Sequence, residues 1–147
     1  MSAPTVTVRP AEACDAAALT PLTGQLGYPA PQAVIESRLA AILPREDVAI
    51  RVAEIDGQIV GWVQMHERYL LFDDRTVEVD GLVVHEACRS QGIGRILMEA
   101  AEGWARMRGC TAVVLRSNII RERAHAFYLE IGYENIKNHR TFRRELG

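Results

Sequence analysis

The stretch Val79-Asp80-Gly81-Leu82-Val83-Val84-His85-Glu86-Ala87-Cys88-Arg89-Ser90-Gln91-Gly92-Ile93-Gly94-Arg95 decides how this chain is read. Its first six residues form an apolar run of strand character. From Gly92 to Arg108 apolar residues return every three or four positions, at Ile93, Ile96, Leu97, Ala100, Ala101 and Trp104. That is the period of an amphipathic helix. A glycine-rich turn that opens a helix leaves backbone N–H groups without intrahelical acceptors, at the positive end of the helix dipole. Such a place suits a phosphate or diphosphate. Gly92 and Gly94 let a ligand reach the backbone without meeting a Cβ. Arg89 and Arg95 add full positive charge.

The dinucleotide fingerprint requires a third glycine where Leu97 stands, and the mononucleotide P-loop requires Gly-Lys-Ser/Thr, which is absent. The pattern that remains is Arg/Gln-x-x-Gly-x-Gly/Ala, carried by Arg89, Gly92 and Gly94. It resembles the acyl-CoA diphosphate loop of the GNAT superfamily of N-acetyltransferases. Residues 117–133 resemble a second pattern of that family, Asn…Arg-x-x-Ala-x-x-Phe-Tyr-x-x-x-Gly-Phe/Tyr, at Asn118, Arg121, Ala124, Phe127, Tyr128, Gly132 and Tyr133.

The resemblance implies an α/β fold, a central mixed sheet flanked by about four helices, with residues 1–147 as one GNAT domain. It implies acetyl-CoA as acyl donor. The donor would be held by Leu82, Val83, Val84, Arg89, Ser90, Gln91, Gly92, Ile93, Gly94 and Arg95, and by Asn118, Arg123, Ala124, Phe127 and Tyr128. Within that set the backbone of Leu82, Val83 and Val84 would pair with the pantetheine arm like an added strand. Plainer roles stay open for three of these residues. Asn118 suits an N-cap or turn, Phe127 a core position, and Tyr128 a half-buried aromatic with its hydroxyl in water.

Composition limits the alternatives. The chain has 147 residues, 48% hydrophobic and 24% charged, which suits one globular domain with one core. No apolar run approaches the ~20 residues of a membrane span. Residues 1–5 show neither the basic nor the apolar part of a secretory signal, and the three scattered cysteines suit a reducing cytoplasm. These three, Cys14, Cys88 and Cys110, form neither a disulfide framework nor a Cys-x-x-Cys pair, and no spacing suggests a metal site. Cys88 adjoins the anion loop, yet a reactive thiol there would need a histidine–acid partner that is not apparent. A net charge of −2 argues against a nucleic-acid surface.

Along the chain, residues 5–9 alternate as a short strand before Pro10. Helical spacing follows over 13–26, with Leu19, Leu22 and Leu26 on one side and Pro21 expected to kink or split it. Pro31 opens a second helix lined by Ile35, Leu39 and Ile42. Residues 48–55 and 58–66 read as strands joined by Asp56-Gly57, a hairpin turn that needs positive φ at both positions. Residues 75–84 are the central strand. Gly109 ends the following helix, and 111–115 read as a strand parallel to the central one through a right-handed crossover. Ile120, Ala124, Phe127 and Ile131 share a helix face that Gly132 terminates. Residues 133–136 and 141–144 are expected to form two last strands.

Acetyl transfer to an alkylamine, whose pKa is about 10, requires a base to remove the ammonium proton. Glu78 and Asp80 lie two apart on the central strand and so share a face. Glu78 is the first candidate base and Asp80 the second; a charged, solvated strand face is the plainer reading of the pair. By resemblance, Tyr128 would protonate the departing thiolate. The acceptor is expected to be a small-molecule amine, aminoalkylphosphonate- or aminoglycoside-like. The resemblance implies a site shaped by residues 26–29 and 69–74, with His66 and His125 as further local groups. A protein lysine or N-terminus, or a non-catalytic acyl-CoA sensor, are the rival readings. A homodimer is expected by analogy alone.

Overall fold

The computed structural model describes residues 5–117 and 122–147. The chain divides into two units, Met1–Leu115 and Arg116–Gly147. In the first, β1 (Val6–Pro10) leads through a 3-10 turn into α1 (Ala16–Leu26) and α2 (Gln32–Ile42). There follow β2 (Val48–Ile55), β3 (Gln58–Arg68), β4 (Thr76–Val84), α3 (Ile93–Met107) and β5 (Val113–Leu115). The strands form one mixed sheet in the order β1-β2-β3-β4-β5, antiparallel except for the β4–β5 pair. No helix among the described residues is long and apolar enough to cross a membrane.

Hairpin chemistry sets the β2–β3 register. Asp56 and Gly57 take φ of 51° and 77°, as a tight primed turn requires. Strand alternation then sorts the two faces of the sheet. Ile50 and Val52 pack with Ala16, Leu19, Ile35 and Leu39 of the first two helices, with Trp62 against them. The opposite parity sends Val63 and Met65, both fully buried, to the face that α3 covers with Leu97, Met98 and Ala101.

Helix α1 runs unbroken through Pro21, so the expected split does not occur. The ring removes the helical donor to the Ala17 carbonyl. Pro21 stands on the exposed face, where water can take that carbonyl instead. Helix α3 buries Ile93, Leu97, Met98, Ala101, Trp104 and Ala105, while Ile96 and Ala100 of the expected stripe are half-buried at its edges.

Two irregularities of β4 matter for function. Gln64 pairs with Gly81 and Met65 with Val79, so Asp80 is an extra residue, a bulge that bends the strand. Pairing with β5 covers only Val77 to Val79. The strand expected over 111–115 is thus three residues long, and Leu82, Val83 and Val84 pair with β3 and have no β5 partner.

In the second unit, α4 (Glu122–Glu130) ends in a Schellman arrangement. Tyr133 N–H donates to the Tyr128 carbonyl at 2.9 Å, Gly132 N–H to Leu129 at 3.2 Å, and Gly132 takes φ 99°. The two strands expected over 133–136 and 141–144 are not formed; residues 133–147 carry neither helix nor strand. Two four-residue strands alone would make a hairpin that is marginal in water. Ile136 and Phe142, the side chains such strands would bury, are 73% and 89% exposed.

Candidate active site

The loop between β4 and α3 is tied down at both ends. Glu86 N–H donates to Gln25 Oε1 of α1 at 3.0 Å, and Ala87 N–H donates to His85 Nδ1 at 3.0 Å. At the other end the Ile93 side chain is 1% exposed and anchors the helix start in the core. Between these anchors Arg89, Ser90, Gln91 and Gly92 are exposed, with Ser90 and Gly92 at φ 66° and 79°. A Cβ on Gly92 would meet nothing within 4 Å, so glycine is needed there for its backbone conformation rather than for room. No side chain caps α3. Its first intrahelical bond runs from Ile96 N–H to the Gly92 carbonyl at 3.1 Å. The amides of Ile93, Gly94 and Arg95 therefore have no acceptor within the helix. Arg95 is exposed beside them, and the whole is suited to a diphosphate. The side chains of Ile93 and Val83 are buried, so either residue can meet a ligand only through its backbone.

On the other side of the β4 bulge lies an acid–base cluster. The β3–β4 register sets His66 directly opposite Glu78. His66 Nδ1 is 2.8 Å from Asp80 Oδ2, and its Nε2 is 3.6 Å from Glu78 Oε2. Burial pushes the Asp80 carboxyl above the ordinary carboxylate range; the His66 hydrogen bond opposes this and the Glu78 charge adds to it. The three side chains are close enough to hold a cation between them, their ligand atoms lying within 4.8 Å of one another. Their mutual hydrogen bond and ion pairs already account for that geometry.

Asp80 also borders a cavity of about 190 Å³ on the α1 face of the sheet. Thr23 and Leu26 from the end of α1, and Tyr28 beyond it, form one wall. Trp62 and Gln64 of β3 and Gly81 of β4 form the floor. Gly81 has a steric reason to be glycine: a Cβ would lie 2.9 Å from Cη2 and Cζ3 of the Trp62 ring. The indole can lie on the strand because nothing projects there. Trp62 Nε1 is buried with no hydrogen-bond partner among the described residues.

The cluster brings Glu78 and Asp80 together, as their spacing predicts, and adds His66 as the group that joins them. Trp62 and Gln64 were not legible as site residues. Their signal is the period-two run Trp62, Gln64, His66 on one strand face. In the second unit, Ala124, Phe127 and Tyr128 are half-buried and Arg123 is exposed. Phe127 is therefore not a core residue in the full sense. Its ring meets that of Tyr128 edge-on at 5.1 Å, and Tyr128 meets Tyr133 at 6.2 Å. Asn118 and Arg121 lie outside the described residues.

Comparison with known proteins identifies the family. The model of the acetyltransferase (GNAT) family matches residues 21–133, a span that includes both the anion loop and α4. The aminoalkylphosphonate N-acetyltransferase of Salmonella typhimurium is 36% identical over 108 residues, 73% of this chain and 69% of that protein. The aminoglycoside N(6')-acetyltransferase type 1 of Klebsiella aerogenes is 26% identical over 146 residues, 95% of this chain and 96% of its own length. A solved structure of the aminoglycoside N-acetyltransferase AAC(6')-Iy in complex with CoA matches with a TM-score of 0.88 at 18% identity, covering 99% of this chain and 98% of that one. At that identity the likeness carries the fold alone. The chain belongs to the GNAT family of acetyltransferases and is an acetyl-CoA-dependent N-acetyltransferase.

Proposed function

We propose that the acceptor is a small cationic amine of aminoglycoside type, taken into the cavity beside Asp80, rather than an aminoalkylphosphonate. The observation that carries this is the lining of that cavity, which among the described residues includes one carboxylate, Asp80, two aromatic rings, Tyr28 and Trp62, and no lysine or arginine. An ammonium is attracted by a carboxylate and by ring faces. A phosphonate dianion would sit against Asp80 with no cation in the lining to balance it.

In this reading the amides of Gln91, Gly92, Ile93, Gly94 and Arg95 grip the donor's diphosphate, with Arg89 and Ser90 beside them. The backbone of Leu82, Val83 and Val84 takes the pantetheine arm, because the strand has no β5 partner there. An N–H near Val84 stabilises the oxyanion, a contribution of about 3 kcal/mol to the barrier for such donors. The ammonium proton passes to the Glu78/Asp80 pair. Asp80 borders the cavity and Glu78 does not, which favours Asp80 as the base and reverses the order expected from sequence. Arg123, Ala124 and Phe127 are assigned to the donor, and Tyr128 to protonation of the thiolate, by family resemblance. Tyr128→Phe is expected to lower kcat by roughly 10–1000-fold without abolishing turnover; wild-type turnover would remove Tyr128 from the mechanism. In this proposal residues 1–147 act as one catalytic domain, in the cytoplasm, as a homodimer.

An amine panel followed by free-thiol release tests the substrate class. Aminoglycosides and short diamines are expected to turn over with kcat/KM at least tenfold above that of 2-aminoethylphosphonate. A preference for the phosphonate, or for a peptide amine alone, contradicts the proposal. Acetyl-CoA bound with no amine acetylated would favour a sensor.

A further inference from the structure

The imidazole at the centre of the acid–base cluster has no part in the steps above, although its position is specific. His66 lies on β3 opposite Glu78, and its Nδ1 meets Asp80 across the β4 bulge at 2.8 Å. A bulged residue stands outside the ladder, so strand pairing does not fix where its side chain points. The Asp80 side chain is 35% exposed and has room to turn toward water. Something else must hold it over the cavity.

We propose that His66 is a positioning residue: its ring anchors Asp80 Oδ2, so that Oδ1 faces the amine in the cavity. This rests on the reading of Asp80 as base. An ionised carboxylate has no proton to give, so the ring N–H is the donor in the Nδ1–Oδ2 contact. That contact leaves Nε2 on the Glu78 side, 3.6 Å from its carboxylate. Among the described residues, the charged groups facing the ring are Glu78 and Asp80 on β4 and Asp47 just ahead of β2. Asp47 is occupied by Arg45 at 3.0 Å.

The proton balance is simple. One ammonium proton moves to Asp80 Oδ1. The freed nitrogen lone pair forms the C–N bond with the acetyl carbon as the C–S bond breaks; the thiolate takes a proton from the donor side, and the second proton that the nitrogen sheds as the amide forms replaces it there. Asp80 then returns its proton to water. His66 keeps its own protons throughout, which makes it a positioning group and not a second base.

The test compares His66→Leu, which removes the donor, with His66→Asn, which keeps an amide N–H near the Nδ1 position. Amine kcat/KM is followed against pH, together with the acetyl-CoA KM and the Tm. His66→Leu is expected to lower amine kcat/KM at pH 7 about tenfold. It should also move the acid limb of the profile to higher pH, since the hydrogen bond that favours ionised Asp80 is gone. The acetyl-CoA KM and Tm should hold, and His66→Asn should restore most of the activity. A wild-type profile in His66→Leu overturns the proposal. A second readout needs no turnover: the Asp80 carboxyl carbon, followed by NMR, should titrate higher in His66→Leu than in wild type, and identical titrations also overturn it. If the wild type acetylates no amine, the proposed function fails, while the carboxyl titration still decides for or against His66.

Discussion

Glu67 and Asp80 sit on neighbouring strands of one sheet, and their surroundings differ in kind. The Glu67 side chain is 1% exposed. Arg108 Nε donates to its Oε1, the Tyr69 hydroxyl donates to Oε2 at 2.9 Å, and Arg75 Nε lies 3.5 Å from the same oxygen. Both guanidiniums lie near ring faces, Arg108 over Trp104 at 5.6 Å and Arg75 over Tyr69 at 5.8 Å. Such a carboxylate ties the end of β3 to the end of α3 and has no oxygen left for a substrate. Asp80 has an imidazole for a partner and a cavity at its side. Burial and charge pairing therefore do not mark a catalytic carboxylate by themselves. What distinguishes Asp80 is a single hydrogen-bonding partner among the described residues and an open approach.

The largest expected effect breaks this comparison at its active end. Asp80→Asn should lower amine kcat/KM by roughly 100–1000-fold, as removal of a general base does, while CoA binding by calorimetry stays within about twofold. A loss under threefold would return the base to Glu78. Next in size is Glu67→Gln. It leaves two arginines short of a charged partner and should cost about 2 kcal/mol, seen as a Tm lower by several degrees, with kcat of the folded enzyme unchanged. A fall in kcat with no change in Tm would make Glu67 a functional group after all.

The smallest effect is one of sign and concerns pH. Asp15, buried against Arg9 at 2.8 Å, has its carboxyl held below the ordinary range by that hydrogen bond. A lowered group contributes stability that is present above the unfolded pKa of about 3.9 and lost as pH falls through the folded value. Asp80 is raised by burial, so its contribution is full below the unfolded pKa and lost as pH rises through the folded one. Thermal melts should accordingly show Asp15→Asn below wild type at pH 7 and converging with it in acid. The carboxylate desolvation that Asp80→Asn removes acts in the opposite direction over the same range. Parallel curves for both variants would contradict these assignments.

Much of the fold was legible because local chemistry dictates it. Asp56-Gly57 admits little but a primed turn, and the apolar stripe of α3 has one partner, the sheet face of Val63 and Met65. The glycine-rich turn that opens α3 was legible from its spacing, and the structure adds that Gly92 takes a left-handed backbone there. The acceptor side was not. His66 meets Glu78 and Asp80 only through the β3–β4 register, and the connection between those strands, residues 69–75, is too long for its sequence to set a register. The bulge at Asp80 is likewise a property of pairing and not of any one residue. The two strands expected over 133–136 and 141–144 are not formed, because a short local stretch does not say what it pairs with.

Hydrogen–deuterium exchange with and without acetyl-CoA tests the central claim most directly. The account predicts that the donor slows exchange in peptides holding Leu82, Val83 and Val84 and in those holding Ile93, Gly94 and Arg95, while exchange around Glu67 stays as it is. Protection elsewhere in the chain, with the α3 amides unchanged, would contradict it.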